Sequence, residues 1–326
     1  MKSKTILSDF LVKKGDAYYC RYGDFYIDPL YPVKTAIVSH AHGDHASPGH
    51  LDTYATPFTV AFMQQRFPKY TKEAYTAVPF NTSWTINGIK ITLLAAGHIL
   101  GSAQILMEYQ GVRYLYTGDY KLQDDPTCEP IQFVQADVLI TETTFADPTV
   151  QHPDPAQEIQ QLNEINSNIL LGCYTLGKAQ RITHLLNTYC PDKVVLLHHR
   201  MLMAHRLYDQ YSPASLNYKV YGRKDMKEGI ANKVYLVPPL TFNSYFRATN
   251  VARVFASGWA KLQQHNDLSL YISDHVDWAD LLHYINGVNP LEIWTIHGDG
   301  SKLKSHLANQ ISVRDIQSTA LIPVGL

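Results

Sequence analysis

Short apolar runs recur along this chain, and several of them are followed by a residue able to bind a metal. Runs at Ala36–Ser39, Lys90–Ala96, Arg113–Thr117, Val138–Thr141, Ile169–Tyr174, Val194–Leu197, Leu268–Ser273 and Ile293–Ile296 are rich in Val, Ile, Leu and Tyr. They have the length of buried or half-buried strands. Between them the pattern predicts helices over Pro57–Phe67, Gly177–Tyr189, Arg200–Tyr211, Trp278–Gly287 and Ser301–Gln310. Strands and helices mixed in this way predict an α/β (α+β) chain with sheets covered by helices. No internal repeat, low-complexity tract or long Gly/Ser linker interrupts the pattern.

His40 follows TAIVS, His98 follows ITLLAAG, Asp119 follows YLYTG, Glu142 follows DVLIT, His275 follows LYISD and His297 follows IWTI. Loops at strand ends are held by a rigid scaffold and can reach a common cleft, so these residues are expected to build one site from both ends of the chain. None of them falls between about Phe145 and Arg253, a stretch marked by DPTVQHPDP and the Pro238–Pro239 pair. That stretch is expected to be an inserted domain, 145–253, with 1–144 and 254–326 forming the other.

Composition narrows the picture only a little. The 326 residues are 45% hydrophobic and 17% charged, as in globular proteins rather than disordered ones. No apolar run approaches the roughly 20 residues of a membrane span, and MKSKTILSDF lacks a signal-peptide core, so a cytoplasmic protein with no membrane partner is expected. The cysteines Cys20, Cys128, Cys173 and Cys190 form no CxxC pair and are read as reduced and structural. A net charge of −1 lacks the basic excess of many nucleic-acid binders, so any such function must rest on local chemistry.

The densest local chemistry is His40-Ala41-His42-Gly43-Asp44-His45. Three imidazoles and a carboxylate in this short span suit zinc and its first-row neighbours. Alternating ligands on an extended loop can face one ion, while Asp44 and His45 can turn toward another, so a pair of metals is implied. A surface loop fortuitously rich in His is the alternative, and four metal-type residues placed directly after a buried strand argue against it.

This H-x-H-x-D-H pattern resembles the signature of the metallo-β-lactamase superfamily, and Asp28 in YIDP, His98 in AAGHILGSAQ and Asp119 in TGDYK match its further motifs in order. Glu142 in TETTF, His275 in SDHVDW and His297 in IHGD resemble the additional motifs of the β-CASP nucleases, which process DNA and RNA. YYCRYGDFYIDP, DPTCEP and LGKAQR are similar to the bacterial ligase-associated DNA exonucleases, so the resemblance spans nearly the whole chain. It implies an αββα metallo-β-lactamase sandwich with an inserted β-CASP-like α/β cap. It further implies a metal-dependent exonuclease acting on DNA in repair, with a DNA ligase and a helicase as partners.

By the same resemblance His40, His42 and His98 hold one Zn²⁺, Asp44, His45 and His297 hold a second, and Asp119 bridges them. Mn²⁺ is the alternative metal. Paired ions about 3.5–4 Å apart can clamp a phosphate and activate a water for in-line attack. His275 is assigned as general acid or leaving-group stabiliser, with helix capping as its alternative, and Asp28 and Glu142 as carboxylates that orient metal-binding imidazoles. Lys178, Gln180 and Arg181 open a predicted helix after Gly177 and are candidates to hold a backbone phosphate, the alternative being a solvated charged helix face. His198-His199-Arg200 and His205-Arg206 form another cationic stretch, and Tyr18, Tyr19, Tyr22 and Tyr26 could stack bases or simply pack. His50, His152, His184, His265, His283 and His306 lie outside any ligand pattern. An RNA-processing β-CASP ribonuclease, a small-ester or thioester hydrolase of the same fold, and a non-catalytic nucleic-acid-binding scaffold are the competing functions.

Overall fold

The computed structural model describes residues 4–70, 74–222, 224–225, 230–246 and 250–317. The chain passes between two compact units at Asp124/Asp125, Cys128/Glu129, Gln151/His152 and Asp274/His275. The first unit begins with β1 (Leu11–Lys14), β2 (Ala17–Cys20), β3 (Phe25–Ile27), β4 (Thr35–Ile37), β5 (Asp52–Ala55), α1 (Pro57–Arg66) and β6 (Tyr75–Ala77). Its strands pair in sequence order into one sheet. There follow β7 (Ser83–Ile86), β8 (Ile89–Ala95), β9 (Ala103–Tyr109), β10 (Val112–Tyr116) and β11 (Val138–Thr143), the start of another sheet.

The second unit holds α2 (Pro155–Gln160), β12 (Asn168–Gly172), α3 (Lys178–Tyr189), β13 (Val194–Leu197), α4 (Leu202–Tyr211), β14 (Lys219–Val220), β15 (Lys233–Val237), α5 (Pro239–Ser244), β16 (Val251–Ala256) and β17 (Leu268–Leu270). Its sheet has the order β14-β13-β15-β12-β16-β17 and is parallel throughout. Parallel strands need covered faces, and both are covered. Ile169, Leu171, Val195, Leu197, Val234 and Leu236 pack under Ala179, Ile182 and Leu186 of α3, while Leu170, Leu196, Tyr235 and Phe255 pack against Phe242 of α5. The pairing of β16 with β12, and of β17 with β16, moves the expected domain boundary. The segment after Arg253 completes the second unit's sheet, and the return to the first unit comes at His275 rather than at 254.

After that return, α6 (Trp278–Val288), β18 (Glu292–Gly298), α7 (Ser301–Leu307) and β19 (Ser312–Asp315) complete the first unit. Its larger sheet then reads β19-β18-β11-β10-β9-β8-β7. Alternation along these strands explains their continuous apolar runs. Ile105, Tyr114, Tyr116, Val138, Ile140, Trp294 and Ile296 point inward onto Tyr18, Phe25, Ile27 and Ile37 of the other sheet. Their neighbours Leu106, Leu115, Leu139 and Ile293 point outward under Leu281, Ile285, Leu303 and Leu307 of α6 and α7. The outer side of the smaller sheet receives Val60 and Met63 of α1 against Val38 and Ala55. Among the described residues no helix is long and apolar enough to cross a membrane.

Candidate metal centre

The loops after β4, β8 and β10, the last residues of β11 and β18, and the start of the segment leading to α6 bring the expected residues together in the first unit. His40 Nε2 lies 3.1 Å from His42 Nδ1, which lies 3.1 Å from His98 Nε2. Asp119 Oδ2 is 3.7 Å from His40 Nε2 and 3.8 Å from His98 Nε2. Four ligands at the Zn–N distance of 2.0–2.1 Å in a tetrahedron stand about 3.4 Å apart, so the donor set fits one first-row divalent ion. One ligand atom from each of these residues falls within 4.8 Å of all the others.

Asp119 also faces His45, whose Nε2 is 3.4 Å from its Oδ2 and 4.0 Å from Asp44 Oδ2. The His297 ring stands 5.2 Å from that of His45, and its Nε2 is buried without a hydrogen-bond partner. A buried nitrogen left unpaired is costly unless something meets it, and a second cation beside Asp119 would do so. Asp44 is the outlier, with its side chain 79% exposed.

Electrostatics follows from this crowding. Burial together with the neighbouring His45, His42 and His98 holds His40 well below the usual imidazole range, leaving a neutral ring suited to coordination. Burial opposes the charge on His45, but the Asp119 and Asp28 carboxylates outweigh it and raise its pKa well above that range. Burial likewise opposes ionisation of Asp119, but His45, His275 and His40 hold it well below the ordinary carboxylate range. The histidines therefore compensate the buried negative charge.

Each buried carboxylate has a definite task. Asp28, in the left-handed region at φ 49°, accepts from Ser39 N and Ser39 Oγ at 2.7 Å and meets His45 Nδ1 at 2.8 Å. The Tyr116 hydroxyl donates to it at 3.2 Å. Fixing Nδ1 in this way turns His45 Nε2 toward Asp119. Glu142 was expected to orient a metal-binding imidazole, but its partner is His275, whose Nδ1 stands 2.9 Å from Oε2 and 3.0 Å from Oε1. Tyr120 N and Thr144 Oγ1 complete the hold on Glu142 at 3.0 and 2.5 Å. The His275 ring lies 4.9 Å from that of His98, and its side chain remains 26% exposed. Asp119, Glu142 and His275 together form a further set with metal-binding spacing.

The backbone takes unusual forms here. His297 has φ 44°, and the ladder between β11 and β18 shifts register at Glu142/Thr143. Gly298 follows at φ 126°, where a Cβ would stand 2.4 Å from the Thr143 carbonyl oxygen. Only glycine fits so close an approach, and it lets the loop carry His297 to the cluster. Sequence reasoning missed Ser39, Tyr116, Thr144 and Lys121, whose Nζ donates to the His98 carbonyl at 3.2 Å. Ser39, Thr144 and Lys121 adjoin or lie within the motifs and so left a signal, whereas Tyr116 sits in a strand run with no such mark.

In the second unit, the expected phosphate-binding trio is corrected. Lys178, Gln180 and Arg181 are buried. Lys178 donates to the Ile272 carbonyl and pairs with Asp274 at 3.1 Å. Arg181 donates to the Ser273 carbonyl at 2.5 Å and lies 3.4 Å from Asp274 and 3.5 Å from Asp125. Gln180 accepts from Gly177 N at 2.8 Å, capping α3, and meets His205 Nδ1 at 2.8 Å. Charges taken from water need partners, and these serve the internal carboxylates and carbonyls rather than a ligand.

No family model matches the chain. It is 30% identical over 304 residues to a protein of Opitutus terrae named probable DNA ligase, an alignment covering 88% of this chain and 29% of that protein. It is 29% identical to "Endoribonuclease ysh1" of Aspergillus fumigatus, over 58% of this chain and 26% of that one. It is 37% identical to cleavage and polyadenylation specificity factor subunit 3 of Dictyostelium discoideum, over 32% of this chain and 14% of that one. The chain thus spans less than a third of the length of these relatives. A crystal structure of a protein of unknown function from Enterococcus faecalis V583 superposes with TM-score 0.61 at 15% identity, over 86% of this chain and 78% of that one, a likeness of fold. These relatives, with the His/Asp cluster beside them, support a nuclease family of the metallo-β-lactamase, β-CASP kind for this chain.

Proposed function

We propose that this chain is a metal-dependent nuclease that hydrolyses phosphodiester bonds, acting as an exonuclease on DNA during repair. In this reading the first unit is the αββα metallo-β-lactamase sandwich and the second the β-CASP-like cap. The observation that carries it is the convergence of His40, His42, His98 and Asp119, with the buried, unpaired Nε2 of His297 beyond His45. His40, His42 and His98 would hold one Zn²⁺ and Asp44, His45 and His297 the other, with Asp119 as a ligand available to both. When bound, such ions polarise a phosphoryl oxygen and lower the pKa of water toward neutrality.

The chain's own residues supply the rest. Asp28 fixes His45, and Glu142 fixes His275 through Nδ1. Glu142 holds the ring at Nδ1 and leaves Nε2 as the edge from which a proton would pass to the departing sugar oxygen. The relative named DNA ligase supports DNA as substrate and a ligase as working partner. The relatives named endoribonuclease favour a second reading, RNA cleavage at the same site.

Matched single-stranded DNA and RNA, labelled at either end and incubated with Zn²⁺ or Mn²⁺, separate the readings. Stepwise shortening of DNA with RNA left intact is expected. Internal cuts in RNA alone would replace this reading by the ribonuclease one, and no cleavage of either would overturn both.

A further inference from the structure

We propose that Arg66, Lys69 and Tyr70, at the C-terminal end of α1, form a subsite for a phosphate and base of the bound strand beside the His40–His45 loop. This deepens the nuclease reading and rests on it. Thr56 caps α1, which buries Phe58, Val60, Phe62 and Met63 and leaves Arg66 exposed in its last turn. The bland account of an arginine there is compensation of the helix dipole. That account does not explain where the guanidinium goes.

It reaches back to the loop that carries the candidate ligands. Nη1 donates to the Ala41 carbonyl at 3.4 Å, and a Cβ on Gly43 would stand 2.8 Å from Nη2. The residue between His42 and Asp44 is thus one without a side chain, at the spot where the arginine rests. Arg66 forms no ion pair with a carboxylate among the described residues. One long hydrogen bond and a stack over Phe67, 5.1 Å from the ring centroid, are its contacts. A guanidinium has five N–H donors in a planar fork suited to a phosphate, and most of this fork is unspent.

Electrostatics sharpens the point. A fixed cation next to a donor set built for cations is repelled by what that set holds. A strand phosphate lying between them removes the repulsion, since it is attracted to both. Lys69 is exposed one turn further on. Tyr70, 44% exposed, sits on the other flank of the loop, where a Cβ on Gly49 would meet its Cε1 at 3.4 Å. A cation and an aromatic face together suit single-stranded nucleic acid.

The test measures binding of a labelled single-stranded oligonucleotide to the full chain by fluorescence anisotropy across a salt series, in chelator so that the strand stays intact. Arg66→Gln should weaken binding and lower the slope of log K against log salt by about 0.7, the loss of one phosphate contact. Arg66→Lys should restore most of the slope. Tyr70→Ala should weaken binding roughly 5- to 100-fold by a factor independent of salt. A wild-type protein that cleaves nucleic acid while Arg66→Gln keeps its slope and affinity overturns the subsite alone. A wild-type protein that neither binds nor cleaves overturns the nuclease reading as well. Melting curves and metal content of Arg66→Gln matching wild type show that the loop itself is intact.

Discussion

At the scale of single residues, the account assigns distinct work to groups that look alike in sequence. His40 and His275 are both histidines after a strand, yet one is a neutral, fully buried ring among other imidazoles and the other a partly exposed ring held by Glu142. His275→Ala should leave metal content unchanged and slow cleavage roughly 10²- to 10⁴-fold, the usual span for a lost general acid. Loss of a metal ion in that variant would show that His275 is a ligand. Glu142→Gln keeps the shape but not the charge, so it should slow the reaction while leaving metal content unchanged. Asp28→Asn acts on His45 instead and should lower metal affinity about 10- to 100-fold. The ligands were legible because metal chemistry needs rare side chains in a tight pattern. Lys178 and Arg181 misled because a charged residue at a helix start reads the same whether it meets solvent or, as here, a buried Asp274.

At the scale of elements, long apolar strands such as β8, β10, β11 and β18 were readable, and short ones such as β3 or β14 were not. Burial on both faces gives the long strands unbroken hydrophobic runs, whereas a strand of a few residues leaves too little pattern to separate from a loop. The boundary after Arg253 failed for a related reason: β16 and β17 look like any buried strand, and pairing alone decides which sheet receives them. Elements also carry a pH dependence away from the metal centre. Burial holds His205 of α4 down at about 4. Gln180 Nε2 lies 2.8 Å and the Met201 carbonyl 3.1 Å from its Nδ1, and Thr183 Oγ1 lies 3.0 Å from its Nε2.

The unfolded chain takes up this proton near pH 6.5, while the folded chain resists it until about 4. The contribution is therefore complete above pH 6.5 and is lost as pH falls through that window, on the order of 3 kcal/mol in all. Chemical denaturation of wild type and His205→Gln at pH 7.5 and 4.5 reads it directly. The wild type should lose more stability over that interval than the variant, and equal losses would remove His205 from the account. Gly298→Ala tests the close approach of β18 to β11, with an expected cost of roughly 1–3 kcal/mol from strain at its positive φ.

For the whole molecule, a site assembled from residues as far apart as Asp28 and His297 binds distant segments of the first unit into one structure. Metal binding should then stabilise folding by linkage. At a hundredfold excess over Kd the gain is about 2.7 kcal/mol, a rise in melting temperature of roughly 5–10 °C. The rise should vanish in chelator, and a melting curve indifferent to metal would mean that nothing binds at the cluster. The near-neutral net charge of −1 gives no hint of a polyanionic substrate. In the nuclease reading recognition would come from local groups such as Arg66, and the salt dependence of binding should be correspondingly shallow.

The central claim is that the His/Asp cluster makes this chain a metal-dependent nuclease. It is tested most directly by single-turnover cleavage of end-labelled DNA by metal-loaded wild type and Asp119→Asn, with bound metal measured in the same samples. The account predicts cleavage by wild type that chelator abolishes and added Zn²⁺ or Mn²⁺ restores, with Asp119→Asn inactive and holding less metal. Cleavage by Asp119→Asn at the wild-type rate, or by wild type in chelator, would contradict it.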